Sequence, residues 1–373
     1  MKIAIIAPLV TAISEPQRGG SQAFVSDLAR GLARRGHDVH VYAATGSEIP
    51  GVTVIDTGID PRSLAATLYR ASGPAAPDPT APDPAAPDPT AAEAAFASAY
   101  AQVRQVRYDV IHNHAFDPPA IRLATTLAPP VVHTLHLPPD QAVAAALGDA
   151  ARCDKPPAVA AVSVFQASAW RRLTRVAAIL PPYVPTDVIP WSRSAGDGAV
   201  FAGRLSPEKG AAEAIDIARA AGIPIDLYGD AYDAGYAREQ IGPRRAQPGV
   251  AVHPAVPRAS LWAAMTRAAV VLCPSAWDEP FGMAAAEAQA CGTPVVAFRC
   301  GALSEVITDG VTGFLVPPGD IQAAADAVGK TAGISRSACR DHAATHLDLQ
   351  RSLDAHEQLY RRVTDPGGSE AGG

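Results

Sequence analysis

The chain has 373 residues, 48% hydrophobic and 18% charged, a length that favours two domains and a charged fraction below the roughly 25% usual for soluble domains. Its formal charge is −6, with 31 Lys and Arg against 37 Asp and Glu, and the first 185 residues balance at 15 and 15, which excludes a large basic field for nucleic acid or anionic lipid. No apolar run approaches the roughly 20 residues a bilayer requires, no cleavage-type motif follows MKIAIIAPLV, and the five cysteines include no CxxC pair, so reduced thiols and a cytoplasmic protein are expected.

In chain order, KIAIIA (2–7) is a β-branched run bounded by Pro8. Ala23, Phe24, Val25, Leu28, Leu32 and Ala33 then predict an amphipathic helix ending at Gly36. DVHVYAA, DVIHNH (109–114), helical IRLATTLA and PVVHTLH (130–136) continue the alternation that builds a parallel, doubly wound α/β sheet over 1–183. Three AlaProAspPro repeats interrupt it, and 73–92 reads as an extended insertion. Four prolines mark 181–198, and 184–198 reads as a linker between domains. A second βα array covers 199–346, from AVFAGR through helical EKGAAEAIDIARAAG, IPIDLYG, helical SLWAAMTRA, VVLCPS and helical MAAAEAQACG to TPVVAF. A final amphipathic stretch, 347–363, carries Leu347, Leu349, Leu353, Leu359 and Tyr360, and PGGSEAGG closes the chain as a tail. Two Rossmann-like halves facing each other leave a cleft between them.

The densest chemistry lies in 274–296, PSAWDEPFGMAAAEAQACGTPVV. A strand ends just before it, and a helix is expected from about Phe281 to Gly292. Glu279 then sits at the C-terminal edge of a parallel sheet, where open α/β sheets bind ligands. Beside it, the free amides of Phe281, Gly282 and Met283 suit phosphate or sugar oxygens. Glu287 lies about one helical turn beyond Met283 and is expected to face the same pocket, where paired carboxylates suit vicinal sugar hydroxyls. On spacing alone, a helix-dipole partner and an exposed helix residue account for the two glutamates equally well.

In GRLSPEKG (203–210), Ser206 and Pro207 suit an N-cap and a first helical position, so Arg204 and Lys209 flank another strand-to-helix turn. Two cations there can hold a diphosphate. The chain contains no Asp-x-Asp pair, and these charges are the natural replacement for a divalent ion on a leaving diphosphate. Gly19 and Gly20 precede the first helix, but some ten residues separate them from Pro8, which argues against a dinucleotide fingerprint. His136 ends its strand where an imidazole reaches a sugar hydroxyl or phosphate, whereas His133 better fits a core position. His112 and His114 alternate on a strand and do not have the helical spacing of a metal motif.

Together these segments resemble a GT-B-fold glycosyltransferase, most similar to the large retaining family four, over nearly the whole chain. The family's E-x7-E signature appears as Glu279 to Glu287, its R-x4-K pair as Arg204 to Lys209 and its glycine loop as Gly19-Gly20; GTPVVAFRCGALSEVITDGVTGFLVPPGD matches its closing pattern. The resemblance implies a nucleotide-diphosphate sugar as donor, a UDP-sugar favoured, and transfer with retention without metal or other cofactor. Arg204 and Lys209 would stabilise the diphosphate, and Glu287 would bind the ribose. Glu279 with Phe281, Gly282 and Met283 would hold the transferred sugar, His136 would reach donor sugar or phosphate, and Gly20 the donor phosphate or acceptor. The final helix would cross back to the first domain. The chain departs from the family at LPPYVP (180–185), where an Asn-Gly turn is common.

A small-molecule hydroxyl acceptor is expected over a lipid or polysaccharide, since Arg34-Arg35 and Arg171-Arg172 are only short basic stretches. Neither nucleic acid nor integral membrane association is expected; peripheral contact stays open. With only Lys2, Lys155, Lys209 and Lys330 as lysines amid abundant Ala, Pro and Arg, the composition suggests a high-GC, actinobacterial source and specialised metabolism. The alternatives are a sugar-nucleotide epimerase or phosphorylase and a non-catalytic nucleotide-sugar binding protein.

Overall fold

The computed structural model describes residues 1–67, 89–194 and 196–365. The first half runs β1 (Lys2–Ile6), α1 (Gly20–Arg34), β2 (Asp38–Ala43), β3 (Thr53–Asp56), α2 (Pro89–Val103), β4 (Val110–Asn113), α3 (Pro118–Ala124), β5 (Val131–Leu135), α4 (Gln141–Ala150), β6 (Ala158–Ala161), α5 (Val164–Trp170) and β7 (Ala178–Ile179). The second half runs β8 (Ala199–Ala202), α6 (Ala211–Ala220), β9 (Ile225–Tyr228), α7 (Ala234–Tyr236), α8 (Gly242–Arg245), β10 (Val250–His253), α9 (Arg258–Arg267), β11 (Val270–Cys273) and α10 (Met283–Ala290). It ends with β12 (Val295–Phe298), α11 (Leu303–Val306), β13 (Gly313–Val316), α12 (Ile321–Lys330), α13 (Arg336–His346) and α14 (Leu349–Thr364).

Among the described residues the strands form two parallel sheets, ordered β3-β2-β1-β4-β5-β6-β7 and β10-β9-β8-β11-β12-β13. Each sheet reverses its strand order once, between β1 and β4 and between β8 and β11, and ligands of open α/β sheets bind at such points. Helices cover both faces, which is why β1 reads KIAII without polar alternation. Its period of two sends Ile3 and Ile5 into the layer under α1 and α14, and Ala4 and Ile6 into the layer under α2 and α3.

Leu28 and Leu32 anchor α1 to that first layer, and Gly36, at φ 85, ends the helix by donating its N–H to Ala33 O at 3.0 Å. The last helix of the chain packs on the first domain: Leu349, Leu353, Leu359 and Tyr360 of α14 lie in the same core as Ile3 and Ile5. Gly31 of α1 permits the approach, since a Cβ there would lie 2.7 Å from Leu353 Cδ1. Each such leucine contributes roughly 1.5–3 kcal/mol by leaving water. Before α14, the chain touches the interdomain linker, where Val184 N donates to Leu347 O and Leu349 N donates to Val184 O, both at 2.9 Å.

One expectation is corrected. The extended insertion expected over 73–92 lies outside the described residues as far as 88, but from Pro89 the chain is helical, because Pro suits a first turn and TAAEAAF is rich in helix formers. The tail 366–373 also lies outside the described residues. Among the described residues no helix is long and apolar enough to cross a membrane.

Candidate active site at the domain interface

Both cations of the R-x4-K pair sit on the turn after β8, at the switch point of the second sheet. Pro207–Lys209 is a single 3-10 turn closed by Gly210, and α6 starts only at Ala211. Ser206 takes the N-cap position, yet its hydroxyl makes no capping bond and is buried without a partner among the described residues. The expected cap is therefore absent: the tight turn places no amide within reach of Oγ.

Arg204 Nη2 donates to Glu208 Oε1 at 3.1 Å, and its guanidinium carbon lies 4.4 Å from the Tyr232 ring centroid. Lys209 reaches the loop after β11, where Nζ donates to Glu279 Oε1 and Oε2 at 2.9 and 2.7 Å and lies 4.9 Å from the Trp277 ring. Glu279 Oε2 also accepts from Ser275 Oγ at 3.1 Å and Trp277 Nε1 at 2.9 Å. Burial pushes the Glu279 carboxyl up, but the Lys209 charge and the hydrogen bonds from Lys209, Trp277 and Ser275 outweigh it and hold the group below the usual carboxylate range. Glu279 is thus an ionised hub that fixes the ammonium of Lys209.

The loop from Glu279 to α10 is shaped by glycine. Gly282 caps the helix at φ 102, a left-handed conformation that favours glycine, and no side chain caps the first amides of α10. Gly301, after β12, touches the main chain of Glu279, and a Cβ there would lie 2.3 Å from both Glu279 N and O.

Glu287 does not share a network with Glu279. It lies one turn along α10 from Met283 and accepts at Oε1 from Arg258 Nε (3.1 Å) and Nη2 (2.8 Å). Arg258 Nη1 donates in turn to Asp27 Oδ2 of α1 at 2.7 Å. Each of the two glutamates forms an ion pair with its own cation, Glu279 with Lys209 and Glu287 with Arg258.

On the first domain, Gly19 is the extended N-cap of α1 and Gly20 its first residue. A Cβ on Gly20 would lie 3.1 Å from Met283 Sδ, so the N-termini of α1 and α10 meet across the interface. His136 follows β5, and its Nε2 is hydrogen-bonded to His114 Nδ1 at 2.9 Å. Burial, reinforced by His133 and His356, pushes His136 down to about 3, so the ring is neutral. His133 lies in the core, and neither of its ring nitrogens has a partner among the described residues. His112 is held between Tyr360 OH at 2.6 Å and Thr134 Oγ1 at 2.7 Å.

Arg258, Asp27, Trp277 and Gly301 were not singled out by the sequence. His114, just beyond β4, stands in the sequence only as an alternating partner of His112, with no place in the site; Arg258 opens a helix where a cation is normally unfavourable, and that misfit was the available signal.

Residues 18–188 match the family model described as Glycosyltransferase Family 4, and residues 196–332 match Glycosyl transferases group 1. A D-inositol 3-phosphate glycosyltransferase of Acidothermus cellulolyticus is 30% identical over 380 residues, covering 88% of this chain and 82% of the relative. The chain belongs to the family 4 glycosyltransferases of the GT-B fold. A second relative, a D-inositol 3-phosphate glycosyltransferase of Kribbella flavida, is 29% identical over 88% of this chain and 86% of its own length. The GT-B fold is shared with AviGT4, a glycosyltransferase of avilamycin A biosynthesis, at TM-score 0.69, 22% identity and coverage of 97% and 98% of the two chains. Anabaena HepE in complex with UDP-glucose superposes at TM-score 0.73, with 22% identity over 97% of this chain and all (100%) of HepE.

Proposed function

We propose that the protein transfers a sugar from a nucleotide-diphosphate sugar, a UDP-sugar favoured, to a hydroxyl of a small molecule, with retention and without a metal. The observation that carries the reading is the convergence of Arg204, Lys209 and the N-terminus of α10 at the switch point of the second sheet. An ammonium has three donors; two of those on Lys209 go to Glu279, and the third is available to a diphosphate oxygen. Arg204, whose guanidinium carbon lies over the Tyr232 ring, offers a second cation, and the helix amides a third source of positive potential. Charge building on the departing diphosphate is then stabilised by preorganised donors, and the acceptor proton passes to a donor phosphate oxygen on the same face. Neutral His136 accepts or donates a hydrogen bond to the donor sugar without adding charge.

UDP is favoured because HepE holds UDP-glucose on the same fold. The acceptor is proposed to approach along the recess beside Glu279, lined by Pro138, Pro139, Phe165, Gln166, Ala169, Asp278 and Pro280. Its one charged group is the Asp278 carboxylate, which favours an uncharged acceptor over the phosphorylated inositol named for the curated relatives. Five unpaired thiols fit a cytoplasmic setting, where nucleotide sugars serve as donors.

The test is thermal stabilisation of the wild type and Arg204→Ala by UDP, GDP, ADP and dTDP, followed by proton NMR of the product's anomeric centre. A ligand at about 100 times its dissociation constant adds about 2.7 kcal/mol, so UDP should raise the melting temperature of the wild type and not of the variant. No response to any nucleotide, or a product of inverted configuration, sinks the reading.

A further inference from the structure

Arg258 opens α9, and its side chain keeps only 10% exposure. Every bond it makes has an acidic partner: Glu287 Oε1 through Nε and Nη2, Asp27 Oδ2 through Nη1, and Glu15 Oε2, at 3.0 Å, through its backbone N–H. The Trp262 ring lies 4.7 Å from its guanidinium carbon. Asp27 and Glu15 belong to the first domain, Arg258 and Glu287 to the second, so one side chain ties the two halves. Burial would push the guanidinium down, and Glu287 and Asp27 hold it up; burial also pushes the Asp27 carboxyl up against the pull of Arg258.

Two buried carboxylates on one cation are a costly way to join two domains, since apolar residues of the same volume would pack there at least as favourably. The distribution of bonds points to another purpose. Both bonds to Glu287 fall on Oε1; Oε2 receives none from the described residues, and the side chain keeps 8% exposure. Spacing adds direction. Gly20 and Asp27 are two turns apart on α1, and Met283 and Glu287 one turn apart on α10, so the Gly20–Met283 contact and the Asp27–Arg258–Glu287 triad form one seam.

We propose that Arg258 is a positioning residue for the donor ribose: it clamps Glu287 through Oε1 so that Oε2 is aimed at a ribose hydroxyl, and through Asp27 it makes that aim depend on the seating of α1. This inference rests on the donor site proposed above. It extends that site to a residue that touches neither sugar nor diphosphate.

Its test is a binding cycle on the full-length protein. Dissociation constants for UDP, ADP and GDP, and for their 2′-deoxy and 3′-deoxy counterparts, are measured by calorimetry on the wild type, Arg258→Gln and Arg258→Gln/Asp27→Asn. The double variant neutralises Asp27, one of the two carboxylates that the single one strands, and circular dichroism confirms that it is folded. Loss of a hydroxyl bonded to a carboxylate should weaken wild-type binding about tenfold or more, and that ratio should shrink below about threefold in both variants. A ratio unchanged in the folded double variant overturns the positioning role, as does a wild type that binds a nucleotide without distinguishing its deoxy forms. A wild type that binds none of them overturns the donor site itself, and the inference with it.

Discussion

Lys209 and Glu279 come from different loops 70 residues apart, and the ammonium of one is bonded to both carboxylate oxygens of the other. The pair joins the turns after β8 and β11, the two strands that flank the switch point of the second sheet. Replacing Lys209 with Ala should lower kcat by about 10²–10³, the usual loss on removing one preorganised stabiliser of developing charge. Steady-state rates with a fixed donor check this, and unchanged rates would remove Lys209 from the machinery.

Glycine at 301 serves the same loop. Gly301→Ala should destabilise the second domain and abolish transfer, because its Cβ would meet the Glu279 main chain at 2.3 Å and a backbone atom cannot swing away. Gly148→Ala in α4 is the converse, with open space around its Cβ, and it should stabilise by about 0.5–1 kcal/mol. Urea unfolding of both variants gives the two signs.

Acid should weaken the first domain through its histidines. Burial holds His133 and His356 at about 4 and His136, with further help from its neighbours, at about 3, against about 6.5 in an unfolded chain. Between those values the unfolded state binds protons that the native state refuses. Stability is therefore full above about pH 6.5 and is lost as the pH falls toward 4, at up to about 1.4 kcal/mol per pH unit for each such ring. His133→Phe removes two unpartnered ring nitrogens, so its melting temperature should depend less steeply on pH between 7 and 5. Parallel wild-type and variant slopes would show that His133 is not among the responsible groups.

Leu353→Ala should cost about 2–5 kcal/mol, the range for emptying a buried leucine site, because Leu353 is fully buried against Gly31. Limited proteolysis should then cut near α14 before the rest of the chain.

The sequence made the alternating strands and helices legible, because β1, β2, β4 and β5 are short segments rich in Val and Ile that alternate with helical patterns. Short strands such as β3 (TVID) and β7 (AI) offer no period to read. For the site, Arg204, Lys209, Glu279 and Glu287 stood out through spacing and resemblance. Their partners did not: whether Glu287 meets Glu279 or Arg258 depends on tertiary placement that a distance of eight residues does not encode. Ser206 shows the opposite failure, a residue type right for a cap on a turn too tight to use it.

Because α14 supplies Leu349, Leu353, Leu359 and Tyr360 to the layer beneath α1, the first domain is completed by a helix translated after the whole sheet of the second domain. Synthesis proceeds from the N-terminus, so the sheet around β1 emerges early with the apolar face under α1 only partly covered and remains so until α14 follows the second domain. The second domain has its own sheet and core complete before then. The half synthesised first is thus the half that closes last, and a fragment ending at the linker would leave exposed the part of that face which α14 covers.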